Sequence, residues 1–219
     1  MEPETHGLLA DCLEDYILDH IDPEPESLHR LYRFTHLNHL YPRMCSGHYQ
    51  GRLLKMFTAM VNPSRVLEIG TFTGYSALAI AEGLTGAAII DTIEIDAEKE
   101  PELSERFAAS PYARQIRLHI GDALDVTKSL EGPYDMAFVD GNKRHYLQYL
   151  EAILPLMRHG GFILADNTLW DMKIVEQIKS NDPQTVAIAE FNDAVRHDAR
   201  FEKVILPVRD GLTILRYVG

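Results

Sequence analysis

From Arg65 to Asn167 the chain repeats one pattern, a short apolar run closed by polar residues and followed by a helical stretch. The runs are RVLEIG, AAIIDTIEID, QIRLHIGD, YDMAFVD and GFILADN. Between them lie GYSALAIAEGL, KEPELSERFAAS, ALDVTKSLEG and HYLQYLEAILPLMRHG, which carry helical spacing. Strands that are apolar throughout need cover on both faces, and strands joined through helices run parallel. The alternation therefore predicts an α/β fold, a parallel sheet with helices on both faces. After Trp170 comes a longer polar stretch, then AIAEFNDAVRHD as a helix. The runs FEKVILPV and GLTILRYV, parted by Arg209-Asp210-Gly211, predict an antiparallel hairpin on the sheet edge.

The first sixty residues or so read as helices. DCLEDYILDHI puts Leu13, Tyr16, Ile17 and His20 at helical spacing, and IDPEPES breaks the pattern with prolines. SLHRLYRFTHLNHLY resumes it with Ser27 as N-cap, and YQGRLLKMFTAMV forms a third helix ending at Asn62-Pro63. With no repeat or linker in view, the expectation is one domain over residues 1–219, with N-terminal helices over 1–62 and an α/β core over 63–219.

The net charge of −12 argues against a protein built to ride on phosphate backbones. Arg106, Arg114 and Arg117 are the one local basic group, and they read as solvated helix and strand ends. Cys12 and Cys45 form no CxxC pair, which points to a reducing cytoplasm rather than a disulfide framework. The opening MEPETHGLL lacks the basic and apolar regions of a signal peptide, and no apolar run nears the ~20 residues of a membrane helix.

In open α/β sheets ligands bind at the carboxyl ends of the strands. The loop there, VLEIGTFTGYS, carries Gly70 and Gly74 but not the G-x-G-x-x-G of dinucleotide enzymes. Glu68 would repel a pyrophosphate and would suit a cationic ligand such as S-adenosylmethionine, which carries a sulfonium and an ammonium. Glu94 ends the second run at the distance expected for a ribose contact, or is a solvated strand end. Gly121-Asp122-Ala123 closes the third run with a turn able to frame an adenine ring.

The fourth and fifth runs both end in aspartate, Asp140 and Asp166, the latter followed by Asn167. Neighbouring parallel strands lie about 4.8 Å apart, so their end residues can converge. Two carboxylates and an amide oxygen make an all-oxygen set that suits Mg²⁺ first, with Ca²⁺ or Mn²⁺ as alternatives. Helix capping is the other use of such residues. His36, His39 and His48 are a second possible metal group, without an acidic ligand nearby in sequence.

From about Met44 onward the chain resembles the cation-dependent class I O-methyltransferases, the family of caffeoyl-CoA and catechol O-methyltransferases and their bacterial relatives. The resemblance rests on VLEIGTFTGYSALAIAEGL, TIEID, GDA, YDMAFVDGNKRHY, GGFILADNTLW and RDGLTILR occurring in this order. It implies a Rossmann-like sheet of seven strands ending in an antiparallel hairpin, and a homodimer. It implies that Met44, Glu68, Gly70, Ser76, Glu94, Asp122, Ala123 and Asp140 surround S-adenosylmethionine, and that Asp140, Asp166 and Asn167 hold a divalent cation. Lys143 matches the general base of the catechol enzymes, and Trp170 would lie beside the substrate, with the N-terminal helices and the loop 171–184 forming the acceptor pocket. The expected acceptor is an ortho-dihydroxy aromatic small molecule. Two alternatives stand beside it: a hydroxylated uridine in tRNA, and a nucleotide-binding regulatory domain without methyl transfer.

Overall fold

The computed structural model describes the backbone from Glu4 to Gly219 and side chains from Cys12 onward, so the reading of the opening stretch lies largely outside the described residues. Seven strands form one sheet: β1 (Arg65–Ile69), β2 (Ile89–Glu94), β3 (Ile116–Ile120), β4 (Tyr134–Val139), β5 (Met157–Asp166), β6 (Phe201–Leu206) and β7 (Leu212–Tyr217). Their order is β3-β2-β1-β4-β5-β7-β6. The first five strands pair in parallel, while β7 runs antiparallel to both β5 and β6. The mostly parallel sheet and the C-terminal hairpin are as the sequence predicts. The hairpin inserts its second strand next to β5 and leaves β6 at the edge.

The helices are α1 (Glu4–His20), α2 (Glu26–Asn38), α3 (Gly47–Val61), α4 (Tyr75–Gly83), α5 (Glu100–Ala109), α6 (Ala123–Val126), α7 (Tyr146–Ile153) and α8 (Pro183–His197). Strand side chains alternate between two cores. In β4, Tyr134, Ala137 and Val139 join Tyr146, Ile153 and Phe191 on the face covered by α7 and α8. Met136 and Phe138 point the other way, into a core with Leu54, Tyr75, Ile80, Leu103 and Phe107 from α3, α4 and α5.

Local expectations differ from the structure at three places. Ser27 is not an N-cap: α2 starts at Glu26, and Pro25 precedes it with φ −57° and no side-chain cap. The carbonyl of Pro25 accepts the first helical N–H bonds, from Leu28 and His29, so the fixed proline φ sets the start two residues earlier. The helix expected through Gly160 stops at Ile153, because Pro155 interrupts the hydrogen-bond ladder, and Met157 already belongs to β5. Leu13 and Tyr16 share a face of α1 but are each 60% exposed, while Ile17 is half-buried. Tyr16 stacks on His20 at 3.8 Å instead of entering a core. The end of α3 matches its expectation: Asn62 adopts φ +48° and its N–H bonds to the carbonyl of Thr58.

Gly70 shows how tightly the sheet end is built. Its φ is +103°, and a Cβ there would lie 2.3 Å from the carbonyl oxygen of Asp140. Gly86 has a similar left-handed backbone, φ +59°, with nothing within 4 Å of the added carbon. Gly86→Ala should therefore cost about 1 kcal/mol from backbone strain alone, and Gly70→Ala at least about 2 kcal/mol more. Denaturant unfolding of both variants checks this, and equal costs would show that the β1 loop and the end of β4 are not in contact.

Candidate active site at the carboxyl ends of the strands

Glu68 sits one residue before the end of β1, on the α3–α4 side of the sheet, and is 0% exposed. Its Oε2 accepts a hydrogen bond from Thr92 at 2.5 Å, and Thr92 in turn contacts Thr71 at 2.6 Å. Its Oε1 is buried without a partner. Burial pushes the carboxyl up to about 8, with repulsion from Asp140 and Glu94 adding to the rise and the nearby hydroxyls of Ser76 and Thr92 opposing it. A buried carboxylate lacking a partner for one oxygen is costly unless a donor or cation arrives.

Glu94 is buried, not the solvated strand end that its position also allowed. Its two oxygens take the backbone N–H groups of Phe72 at 2.7 Å and Asp96 at 2.9 Å. The carboxylate thus pins the glycine loop against the end of β2, and each oxygen keeps a second lone pair. Asp122 caps α6 through the N–H of Leu124 at 2.8 Å, and Ala123 behind it is buried. Met44, Gly70, Ser76 and Asp140 line one recess together with Thr71, Phe72 and Thr73. Met44 is 58% exposed, at the rim.

The aspartates lie where the sheet register puts them. Val139 pairs with Ala165, so Asp140 and Asp166 follow side by side at the ends of adjacent parallel strands. Asp166 is 3% exposed, and its Oδ1 has no hydrogen-bond partner. Burial, with repulsion from Asp140 next in weight, pushes its carboxyl up to about 6. Asn167 has φ +58°, which turns the chain back at the strand end, and its Nδ2 reaches Asp210 at 3.5 Å. Among the described residues no three side chains of the His, Cys, Asp and Glu types gather as a metal site. The Asp140–Asp166–Asn167 set has only two such members, the third being an amide. His36, His39 and His48 do not gather: they contact the carbonyl of Tyr32, the side chain of Glu102 and the carbonyl of Asp22 respectively.

Lys143 is 8% exposed and so is not a surface lysine, although it starts a 3₁₀ turn, Lys143–His145. Its Nζ donates to Asp140 Oδ1 at 2.6 Å and to the Tyr146 hydroxyl at 2.8 Å. Tyr146, which sequence reading did not single out, donates in turn to the main-chain oxygen of Asp166 at 2.8 Å. Only its i, i+3 spacing from Lys143 hinted at this. Trp170 follows with φ +47°, packs against the α7–α8 core and leaves its indole Nε1 buried without a partner. Arg106, one of the basic group read from sequence, is taken up by Glu102 and the carbonyl of Thr73.

Two larger hollows, of about 460 and 510 Å³, lie elsewhere. One is edged by Arg65, Asp91 and His119 and the other lies between α2, α4 and α5. The carboxyl-end recess is smaller, but it is lined by Asp140 and the glycine loop, beside the strand ends that carry the partnerless carboxylate oxygens of Glu68 and Asp166, and chemistry rather than volume marks it as the site.

The sequence profile described as O-methyltransferase matches residues 19–218. A caffeoyl-CoA O-methyltransferase of Stellaria longipes is 32% identical over 233 residues, covering 99% of this chain and 95% of the relative. Among solved structures, the SAH-bound methyltransferase PaMTH1 of Podospora anserina superposes with a TM-score of 0.89 at 28% identity, covering 100% of this chain and 97% of that one. The O-methyltransferase TomG of Streptomyces achromogenes, in complex with SAM, gives 0.87 at 25% identity, covering 95% and 96%. With a buried carboxylate behind the glycine loop and a profile match along nearly its whole length, the chain belongs to the O-methyltransferase family, enzymes that take their methyl group from S-adenosylmethionine.

Proposed function

We propose that this protein methylates one hydroxyl of an ortho-dihydroxy aromatic small molecule and that it works with a divalent cation, most simply Mg²⁺. The observation that carries the proposal is the partnerless, buried Oδ1 of Asp166 beside Asp140. Two adjacent carboxylates raise each other's proton affinity unless a cation lies between them. The donor set of Asp140, Asp166 and the Asn167 amide oxygen fits a hard cation. When bound there, such a cation supplies Lewis acidity that makes a chelated hydroxyl more acidic.

The chain's own residues do the rest. Met44, Glu68, Gly70, Ser76, Glu94, Asp122, Ala123 and Asp140 would surround the methyl donor, with the free Oε1 of Glu68 suited to a cationic group. Lys143 Nζ is the group that would receive the acceptor's hydroxyl proton, held in place by Asp140 and Tyr146. Trp170, a few residues past the end of β5, would offer apolar surface for an aromatic ring, and the exposed Leu40, Tyr41, Met172 and Val175 lie in the segments from which the acceptor pocket would be built. The net charge of −12 favours a small acceptor over RNA. No described helix is long and apolar enough to cross a membrane.

The reading is tested by S-adenosylhomocysteine formation from a 3,4-dihydroxy aromatic acid, with Mg²⁺ and then with excess EDTA. Turnover that survives EDTA would overturn the cation. Asp166→Ala should lower metal-dependent turnover by more than the roughly 10–100-fold typical of losing an outer-shell partner. Lys143→Met should lower kcat about 10²–10⁴-fold while leaving S-adenosylhomocysteine binding intact, and an unchanged kcat would remove it as the base.

Glu68 yields a pH prediction. Its folded-state carboxyl, at about 8, lies above the ordinary 4.5, so the protonated form favours the fold. The stability it contributes below pH 4.5 is lost as pH rises toward 8. Glu68→Gln cannot ionise, so ligand-free stability relative to wild type should improve between pH 5 and pH 9 by as much as about 4 kcal/mol. The same variant should lose affinity for the methyl donor. Parallel stability curves for the two proteins would show that Glu68 is not held protonated by its burial.

A further inference from the structure

The wall of the donor recess formed by residues 43–46 has little internal support. It is one short 3₁₀ turn, Pro42–Met44, followed by Cys45 and Ser46, and Ser46 makes no side-chain cap bond to α3. Its backbone is instead gripped from the far end of the sequence. Arg209 Nη1 donates to the carbonyls of Cys45, at 3.2 Å, and Ser46, and Nη2 donates to the carbonyl of Arg43 at 3.3 Å. Nη1 also bonds Gln50 Oε1 at 2.7 Å, in the first turn of α3. A single guanidinium thus bridges four residues that are about 160 positions away in sequence.

The turn that carries Arg209 holds the opposite side of the site as well. The Asp210 carbonyl accepts from the N–H groups of Leu169 at 2.7 Å and Trp170 at 3.1 Å, and the Gly211 carbonyl accepts from Thr168. Asp210 Oδ2 meets Asn167 Nδ2. Gly211, φ +89°, has Leu169 so close that an added Cβ would lie 2.4 Å from it. The turn is therefore fixed against the segment following β5, and Arg209 transmits that fixed position to residues 43–46.

We infer that Arg209 is a positioning residue for the methyl donor: it fastens the Met44 wall to the same turn that holds the Asn167–Trp170 segment. It touches neither donor nor acceptor and acts through the backbone of residues 43–46. The inference rests on the reading of the recess as the donor site, and its test separates the two.

The experiment is amide hydrogen exchange on the ligand-free protein, together with S-adenosylhomocysteine titration calorimetry, for wild type, Arg209→Ala, Arg209→Gln and Arg209→Lys. Wild-type binding of S-adenosylhomocysteine checks the donor site by itself. If Arg209 is the strap, Arg209→Ala and Arg209→Gln exchange the amides of residues 43–47 at least about tenfold faster and bind S-adenosylhomocysteine about ten- to hundredfold more weakly. Arg209→Lys falls between, because an ammonium is a point donor that lacks the planar fork. Arg216→Gln, which removes only the outer pair with Glu202, leaves both readouts at wild-type values. Weaker binding without faster exchange in 43–47 would mean direct contact with the ligand and would overturn the inference. Unchanged exchange and unchanged affinity would overturn it too. Because exchange is read without ligand, it tests the strap even if the recess binds something else, and the lysine variant keeps the test open should the alanine variant fold poorly.

Discussion

The structure is organised around a desolvation cost. Glu68, Asp140 and Asp166 lie at the carboxyl ends of three strands that are neighbours in space, β1, β4 and β5, with Glu68 and Asp166 almost wholly buried. Buried carboxylates without partners oppose folding. The two cores on either side of the sheet must outweigh that cost, and the neighbouring groups reduce it. Thr92 donates to Glu68, Lys143 pairs with Asp140, and Tyr146 ties Lys143 to the backbone of Asp166. One oxygen on Glu68 and one on Asp166 stay buried without a hydrogen-bond partner, and the proposed function rests on them.

The backbone near the site is strained as well. Positive φ values occur at Gly70, Phe72 and Gly74 in the first loop and at Asn167, Trp170, Asp171 and Met172 after β5. Strain of this kind persists where surrounding contacts over-determine it, and here they do. Glu94 holds the N–H of Phe72, while the turn at Asp210–Gly211 holds Thr168, Leu169 and Trp170. The hairpin that closes the sheet thus also braces the active-site segment, which gives its inner strand a second role beside completing the core.

Much of this was legible in the linear chain. Apolar runs and helical spacing predicted the parallel sheet, because a strand buried on both faces has no room for alternating polarity. The convergence of Asp140 and Asp166 followed from strand spacing alone, and the register Val139–Ala165 agrees with it. Helix limits were less legible. Pro25 and Pro155 moved boundaries that spacing had placed elsewhere, since periodicity does not register a missing N–H. Tyr16 and Leu13 looked like a core face, but helical spacing cannot say whether a partner surface exists.

The sequence by itself determined the sheet, the order of its elements and the residue types at each strand end, because hydrophobic period and turn chemistry are local properties. The tertiary structure decided which of those residues lose their water and which keep it. Glu68 and Lys143 are both buried, a state that no residue type announces. It also joined Arg209 to Ser46 and Tyr146 to Asp166, contacts set by packing rather than by spacing. Charge is written in the sequence, but its energetic weight depends on the dielectric around it, and only the folded chain creates that surrounding.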